Sequence, residues 1–262
     1  MRGWGDAARL SVGTFTRVPV PAPSRVDRVV AGRSMLLSPV LGLGLAVLGA
    51  AVLLAGDALS GSGGAALLTA VLTIAVVAWT TGGLHLDGLV DVADGLASRR
   101  PAAEALAIMR RSDIGALGVA TLVLVLLLQV SALAVAVAED RGPMALTLAL
   151  VTGRMGAVLA CTRGVPGARP DGLGAAVAGS VPRPAALAEV VLLVLAAGGW
   201  GAVSYPSRWW APVLAVLVGL LAGGLLARRC VLRLGGVTGD VLGAAVEVAT
   251  TGSLVAFALS VG

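Results

Sequence analysis

Three aspartates stand close together in the stretch Thr81–Arg100, TGGLHLDGLVDVADGLASRR: Asp87, Asp91 and Asp94, at i, i+4 and i+7. At 3.6 residues per turn they fall within about 60° of one another, on one helix face. Like charges on one face repel, and apolar surroundings raise the cost of leaving them unpaired. Either the face is solvated and pairs with Arg99, Arg100, Arg110 or Arg111, or a hard divalent cation binds there. Mg²⁺ suits the second case, because it takes carboxylate oxygens and shares its other positions with phosphates. In that case Asp87, Asp91 and Asp94 are the metal ligands and the centre of catalysis. His85 is the single histidine. It is a general base, a phosphate contact or a structural partner, and helical geometry turns it nearly opposite the aspartates. Gly88 and Gly95 share a second face, suited to close approach of a phosphorylated ligand or to helix packing.

A second cluster lies at 234–247, LGGVTGDVLGAAVE. Gly235, Gly236 and Gly239 lead into a helical run with Thr238 near its start, and a Gly-rich helix opening presents backbone N–H groups to phosphate. Asp240 is either a helix cap or part of a metal or ligand site. Glu247, seven residues on and on the same face, is harder to explain structurally, because carboxylates inside a membrane are costly. Arg154, after Gly153 and with Arg163 and Arg169 beyond it, balances charge or clamps phosphate. In Phe15–Pro21, FTRVPVP, Arg17 is an interfacial anchor or reaches the site. It follows an amphipathic stretch, Trp4–Val12, suited to lying on a membrane surface.

The elements that must position these groups are membrane spans. The 262 residues are 58% hydrophobic and 13% charged, with a mean hydropathy of +0.97, whereas soluble chains carry about 25% charged residues. Apolar runs at 36–55, 65–82, 115–138, 144–162, 185–203, 210–227 and 241–260 meet or approach the ~20 residues a helix needs to cross a bilayer. The expected fold is all-α, a polytopic helical membrane protein of about seven transmembrane helices. It forms a single domain over 1–262, with 1–35 as a cytoplasmic or interfacial segment and no cleavable signal peptide. All 19 basic residues are arginine, and the loops divide them 17 to 2 between the two sides. The positive-inside rule then puts the N-terminus and all the long loops in the cytoplasm. The active site is expected on that side, because the other has too little chain to build one. The net charge of +5 is spread among loops rather than gathered in a stripe, so no nucleic-acid partner is expected. The lipid bilayer is. Gly42, Gly44, Gly49, Gly219, Gly223 and Gly224 suit close helix packing and permit a homo-oligomer. Cys161 and Cys230 are too few and too distant for a zinc site or a disulfide framework.

The strings FTRVPVP (15–21), GGLHLDGLVDVADGL (82–96), IMRRSDIGALG (108–118), GR (153–154) and LGGVTGDVLGAAVE (234–247) together resemble the cobalamin synthase family, the adenosylcobinamide-GDP ribazoletransferases. The match runs in the same order over nearly the whole chain. The resemblance implies joining of adenosylcobinamide-GDP to α-ribazole or its 5′-phosphate. GMP is released and adenosylcobalamin or its phosphate is formed, a late step of vitamin B12 synthesis. It also implies Mg²⁺ and a place in the bacterial cytoplasmic membrane. One departure falls at Met109–Asp113, where the family often reads Met-Lys-Asp-Ser-Arg and this chain reads Met-Arg-Arg-Ser-Asp. The acid and base stand exchanged around Ser112, so Asp113 carries over only weakly as a substrate contact.

The expected chemistry is attack of the ribazole 5′-oxygen on the phosphorus bearing cobinamide. Mg²⁺ on the three aspartates neutralises charge, and a carboxylate or His85 takes the proton. Arg17, Arg154 or amides near Gly236, Thr238 and Gly239 hold phosphate oxygens, with Asp240 and Glu247 completing the site. Two rivals stand beside this reading. Asp91–Gly95 has the DxxDG opening of CDP-alcohol phosphotransferases, but Ala97-Ser98-Arg99 does not continue that signature cleanly. A transporter would place its ionisable groups near mid-membrane and often show repeats. Here the acids cluster at one edge and no repeat stands out.

Overall fold

The computed structural model describes residues 3–60, 65–111 and 113–262; Ser112, and Arg2 among the 17 arginines assigned to the cytoplasmic side, lie outside them. Among the described residues the chain is helical, and its only β pairings are the isolated bridges Thr162–Val181 and Gly167–Val237. Two helices precede the first span, α1 (Trp4–Phe15) and α2 (Arg28–Leu36). α1 turns Ala7, Ser11 and Phe15, one residue per turn, into the protein. Asp6 accepts hydrogen bonds from the Ser24 N–H and hydroxyl, fastening the Pro-rich segment back onto α1. The Asp27 carboxylate caps α2 by accepting from the Val30 N–H.

The seven apolar runs all form helices: α3 (Ser38–Ser60), α4 (Ala66–Thr80), α7 (Ala116–Ala138), α8 (Gly142–Ala160), α10 (Arg183–Ser204), α11 (Trp210–Leu234) and α12 (Gly239–Val261). Shorter helices α5 (Leu84–Ala97), α6 (Ala102–Ile108) and α9 (Gly172–Val177) lie between them. Among the described residues six stretches are long and apolar enough to cross a membrane. The second predicted span is different. α4 has 15 residues, about 22 Å of rise, short of a ~30 Å hydrocarbon layer. It continues into α5 only through an 89° bend. The bend is made by Gly82 and Gly83, both with left-handed φ, 66° and 72°, which costs glycine little.

α8 and α12 form the centre, with 78% and 72% of their apolar windows buried, whereas α10 at 17% and α7 at 22% lie at the periphery. Backbones approach closely at the centre. A Cβ on Gly219 would lie 2.6 Å from the Ala249 carbonyl oxygen, and one on Gly42 would lie 2.7 Å from that of Leu150. Gly49 and Gly223 are also packed, but Gly44 and Gly224 face open space, so the expected packing role fails for those two. Outward-facing leucines such as Leu54, Leu127, Leu192 and Leu221 are 57–68% exposed. Each would cost about 1.5–3 kcal/mol left in water, and lipid removes that cost. The chain is a multi-pass helical membrane protein.

Candidate active site

α5 leaves the Gly82–Gly83 bend pressed against the first turns of α12. A Cβ on Gly88 would sit 2.6 Å from the Asp240 carbonyl oxygen, and one on Gly243 would sit 3.1 Å from the His85 Cα. Small residues on both helices thus bring the two acidic motifs of the sequence side by side. The segment 161–182 closes over them. Its base is fastened where Arg163 N–H donates to Val181 O and Val181 N–H to Cys161 O. Its far end is held where Val237 N–H donates to Pro166 O and Ala168 N–H to Val237 O.

These elements enclose a cavity of about 300 Å³. His85 and Asp87 of α5, Thr238, Gly239 and Asp240 of α12, and Arg169 and Asp171 of the closing segment line it, with Arg110 at its edge. Thr238 caps α12, accepting from the Val241 N–H at 3.2 Å and donating to the Asp240 carboxylate at 3.1 Å. The first turn of α12 therefore brings its partial positive charge to the cavity wall. Arg169 is largely buried. Its Nη1 lies 3.4 Å from Asp240 Oδ2 and its Nη2 donates to the Leu106 carbonyl at 2.8 Å. Its buried Nε has no partner among the described residues. Arg110 pairs with Asp171 at 2.7 Å, both side chains half-exposed. Arginines and carboxylates therefore face one another across a space able to take an anionic, phosphorylated ligand.

The three aspartates share one helix face but not one task. Asp87 opens on the cavity. Asp91, one turn further, lies in the fields of Asp87, Asp240 and Asp94, opposed by Arg169. Asp94 is committed elsewhere: its Oδ2 accepts from the Gly115 N–H at 2.7 Å and its Oδ1 from the Gly118 N–H at 2.8 Å, capping α7. Among the described residues no three His, Cys, Asp or Glu side chains are gathered around one metal position. The expected ligand set of three aspartates is thus not assembled, because the start of α7 holds the third. The chemistry of the remaining donors still fits a hard cation. Mg²⁺ ordinarily takes one or two carboxylates and completes its shell with phosphates and water.

Other expected site residues are placed apart from the cavity. Arg17 stacks over the Trp79 ring at 4.8 Å, and its N–H donates to the Thr80 carbonyl, bracing the end of α4. Gly236 does not line the cavity. A Cβ there would meet the Pro166–Ala168 backbone at 2.5 Å, so it is a packing glycine rather than part of a phosphate cradle. Asp113 is exposed and forms no ion pair among the described residues, and Arg110 pairs with Asp171 instead. Arg154 and Glu247 lie deeper, beside a space of about 30 Å³ shared with His85, Gln129 and Thr250, about the volume of one water. Gln129 Nε2 donates to Glu247 at 2.8 Å and to Thr251 Oγ1 at 3.0 Å. His85 borders both spaces, and its ring stacks on Phe15 with centroids 6.1 Å apart. The sequence marks Arg169, with Arg154 and Arg163, as a charge-balancing or phosphate-clamping arginine, whereas it does not single out Arg110, Asp171 or Gln129 as site residues. Arg110 reads there as a topology signal, and Gln129 sits unmarked in an apolar run.

The fold and the cavity define a class: a polytopic helical membrane protein with an acid-and-arginine cavity at one end of its bundle. The particular family follows from comparison with known proteins. The family described as cobalamin-5-phosphate synthase matches residues 7–258, and the chain belongs to it. An adenosylcobinamide-GDP ribazoletransferase of Frankia casuarinae is 41% identical over 97% of this chain and 95% of its own length. One from a Nocardioides species is 43% identical over 97% and 98%. One from Stutzerimonas stutzeri is 41% identical over 95% and 96%. No solved structure matches the chain. Membership decides against the transporter and CDP-alcohol phosphotransferase readings.

Proposed function

We propose that this protein is an adenosylcobinamide-GDP ribazoletransferase. It joins adenosylcobinamide-GDP to α-ribazole or α-ribazole 5′-phosphate, releases GMP and forms adenosylcobalamin or its 5′-phosphate. The observation that carries the reading is the cavity between α5 and α12, where the two most distinctive motifs meet around opposed acids and arginines. In the reaction a ribose hydroxyl of the acceptor attacks the phosphorus bearing cobinamide. The P–O–P bridge breaks and GMP departs with the bridging oxygen. With α-ribazole 5′-phosphate as acceptor the attacking oxygen cannot be the 5′-oxygen expected from the sequence, which is already esterified, and another ribose hydroxyl must attack.

Each cavity residue has a part in this scheme. Arg169 and Arg110 hold the anionic diphosphate, and the α12 N-terminus adds its dipole. Asp240, oriented by Arg169 and Thr238, is the carboxylate placed to accept the hydroxyl proton. Asp87 and Asp91 would hold Mg²⁺, which would supply charge neutralisation at the diphosphate. Arg154, Glu247 and Gln129 fix the floor beneath His85. The cavity lies among the arginine-rich loops, which supports a cytoplasmic site in the cytoplasmic membrane and a cytoplasmic N-terminus.

The test is direct. Purified protein in detergent with adenosylcobinamide-GDP, α-ribazole and Mg²⁺ should yield GMP and a corrinoid nucleotide, read by chromatography and mass spectrometry. Absence of both, where a known ribazoletransferase is active, contradicts the assignment.

A further inference from the structure

Away from the active-site cavity, Arg28, Arg33 and Arg163 line a second space of about 380 Å³, walled otherwise by Trp4, Val29 and the Gly179–Ser180 turn. Among the described residues no Asp or Glu lines it. The cations are held in place. Arg28 Nη2 donates to the Ala178 carbonyl at 2.8 Å, and the Arg33 guanidinium lies 5.0 Å over the Trp4 ring. Two glycines with left-handed φ, Gly3 at 111° and Gly179 at 63°, make room for them. A Cβ at Gly3 would stand 3.0 Å from Arg33 Nη1, and one at Gly179 would stand 3.2 Å from Arg28 Nη2. Guanidinium groups fixed in this way around one space suit a phosphate oxyanion.

Leu36 lines this basic pocket and also a third space, of about 410 Å³, so the two meet at that residue. The third space is an apolar groove between α3, α8 and α10, walled by Pro39, Val40, Leu43, Leu193 and Trp200. The peripheral, little-buried α10 leaves it facing the lipid. From Glu189 to Trp200 the groove follows α10 for about 16 Å, half the ~30 Å hydrocarbon layer and so the depth of one acyl chain. Within it the Glu189 Oε2 is buried and lacks a hydrogen-bond partner among the described residues.

We propose that α2, α3, α10 and segment 161–182 form a binding site for one anionic phospholipid. Its phosphodiester sits among Arg28, Arg33 and Arg163, and one acyl chain lies in the α3–α8–α10 groove. A soluble phosphate would use the arginines and leave the groove unfilled. A zwitterionic lipid would bring its own cation into a cluster of cations. The site stands on the membrane fold alone and needs nothing from the catalytic assignment.

The experiment uses the full chain in nanodiscs of equal parts phosphatidylglycerol and phosphatidylcholine. The protein is extracted with mild detergent and its retained lipid is counted by native mass spectrometry. Wild type should retain phosphatidylglycerol in preference to phosphatidylcholine, and added inorganic phosphate should not displace it. Arg33→Gln and Arg163→Gln should each lower retention about fivefold. Leu193→Trp, which fills the groove and touches no charge, should lower it as well. Equal retention of the two lipids by wild type overturns the proposal, and that comparison stands even if a variant fails to fold. Displacement by inorganic phosphate makes this a soluble-anion site and overturns it equally. So does full retention by Leu193→Trp, which reduces the effect to surface charge.

Discussion

Asp87 and Asp94 stand two turns apart on one helix face, and their neighbours give them different work. Asp94 gives both carboxylate oxygens to backbone N–H groups at the start of α7. Removing an acceptor from two part-buried donors typically costs about 1–3 kcal/mol. Asp94→Ala should therefore lower the unfolding temperature in detergent along with activity. Asp87 opens on the cavity, so Asp87→Ala should keep the wild-type unfolding temperature and lose about 10²–10³ in turnover. An unchanged melt for Asp94→Ala alongside a collapsed one for Asp87→Ala would reverse these roles. Spacing placed the three carboxylates on one face, but it carried no information about Gly115 and Gly118, the partners that take one of them away.

At the scale of elements, the site depends on how closely α5 lies on α12. Gly88 permits that approach, since any side chain there meets the Asp240 backbone. Gly88→Val should push the helices apart, and a displacement of ~1 Å at a reacting centre costs about 100-fold in rate. Gly224→Ala, which faces open space, should leave turnover unchanged in the same assay. Equal turnover in the two variants would contradict this account of the helix contact. The seven apolar helices were legible because lipid demands ~20 apolar residues in each crossing, and run length records that demand. The bend at Gly82–Gly83 was less legible, because hydropathy continues through Leu84 and Leu86 while the backbone turns. The closing segment was legible as a long arginine-bearing loop, but its partner was not. Arg169 reaches Asp240 across 71 residues, and nothing in the local sequence around either residue records the pairing. Gly236 misled for a related reason: a glycine before a helix looks alike whether it faces a phosphate or another backbone.

The whole molecule carries its chemistry at one end. The cavity, the closing segment and the basic pocket all lie toward the side to which 17 of the 19 arginines are assigned, which supports a cytoplasmic orientation. Both native cysteines are buried, so single introduced cysteines report topology cleanly. Asp113→Cys, exposed near the cavity end, should react with a membrane-impermeant maleimide only in inverted vesicles. Glu139→Cys, exposed at the other end of α7, should react in intact cells. The opposite pattern would place the cavity outside the cell and contradict the orientation.

The central claim is that phosphoryl transfer occurs in the cavity between α5 and α12, on carboxylates contributed by both helices. The most direct measurement is GMP release from adenosylcobinamide-GDP by wild type, Asp87→Asn and Asp240→Asn, each first shown to melt at the wild-type temperature. These substitutions keep the side-chain shape and remove only the charge and the proton acceptor. Loss of about 10²-fold or more in both variants is the predicted result. Near-normal GMP release from either one would place the reacting atoms elsewhere in the protein.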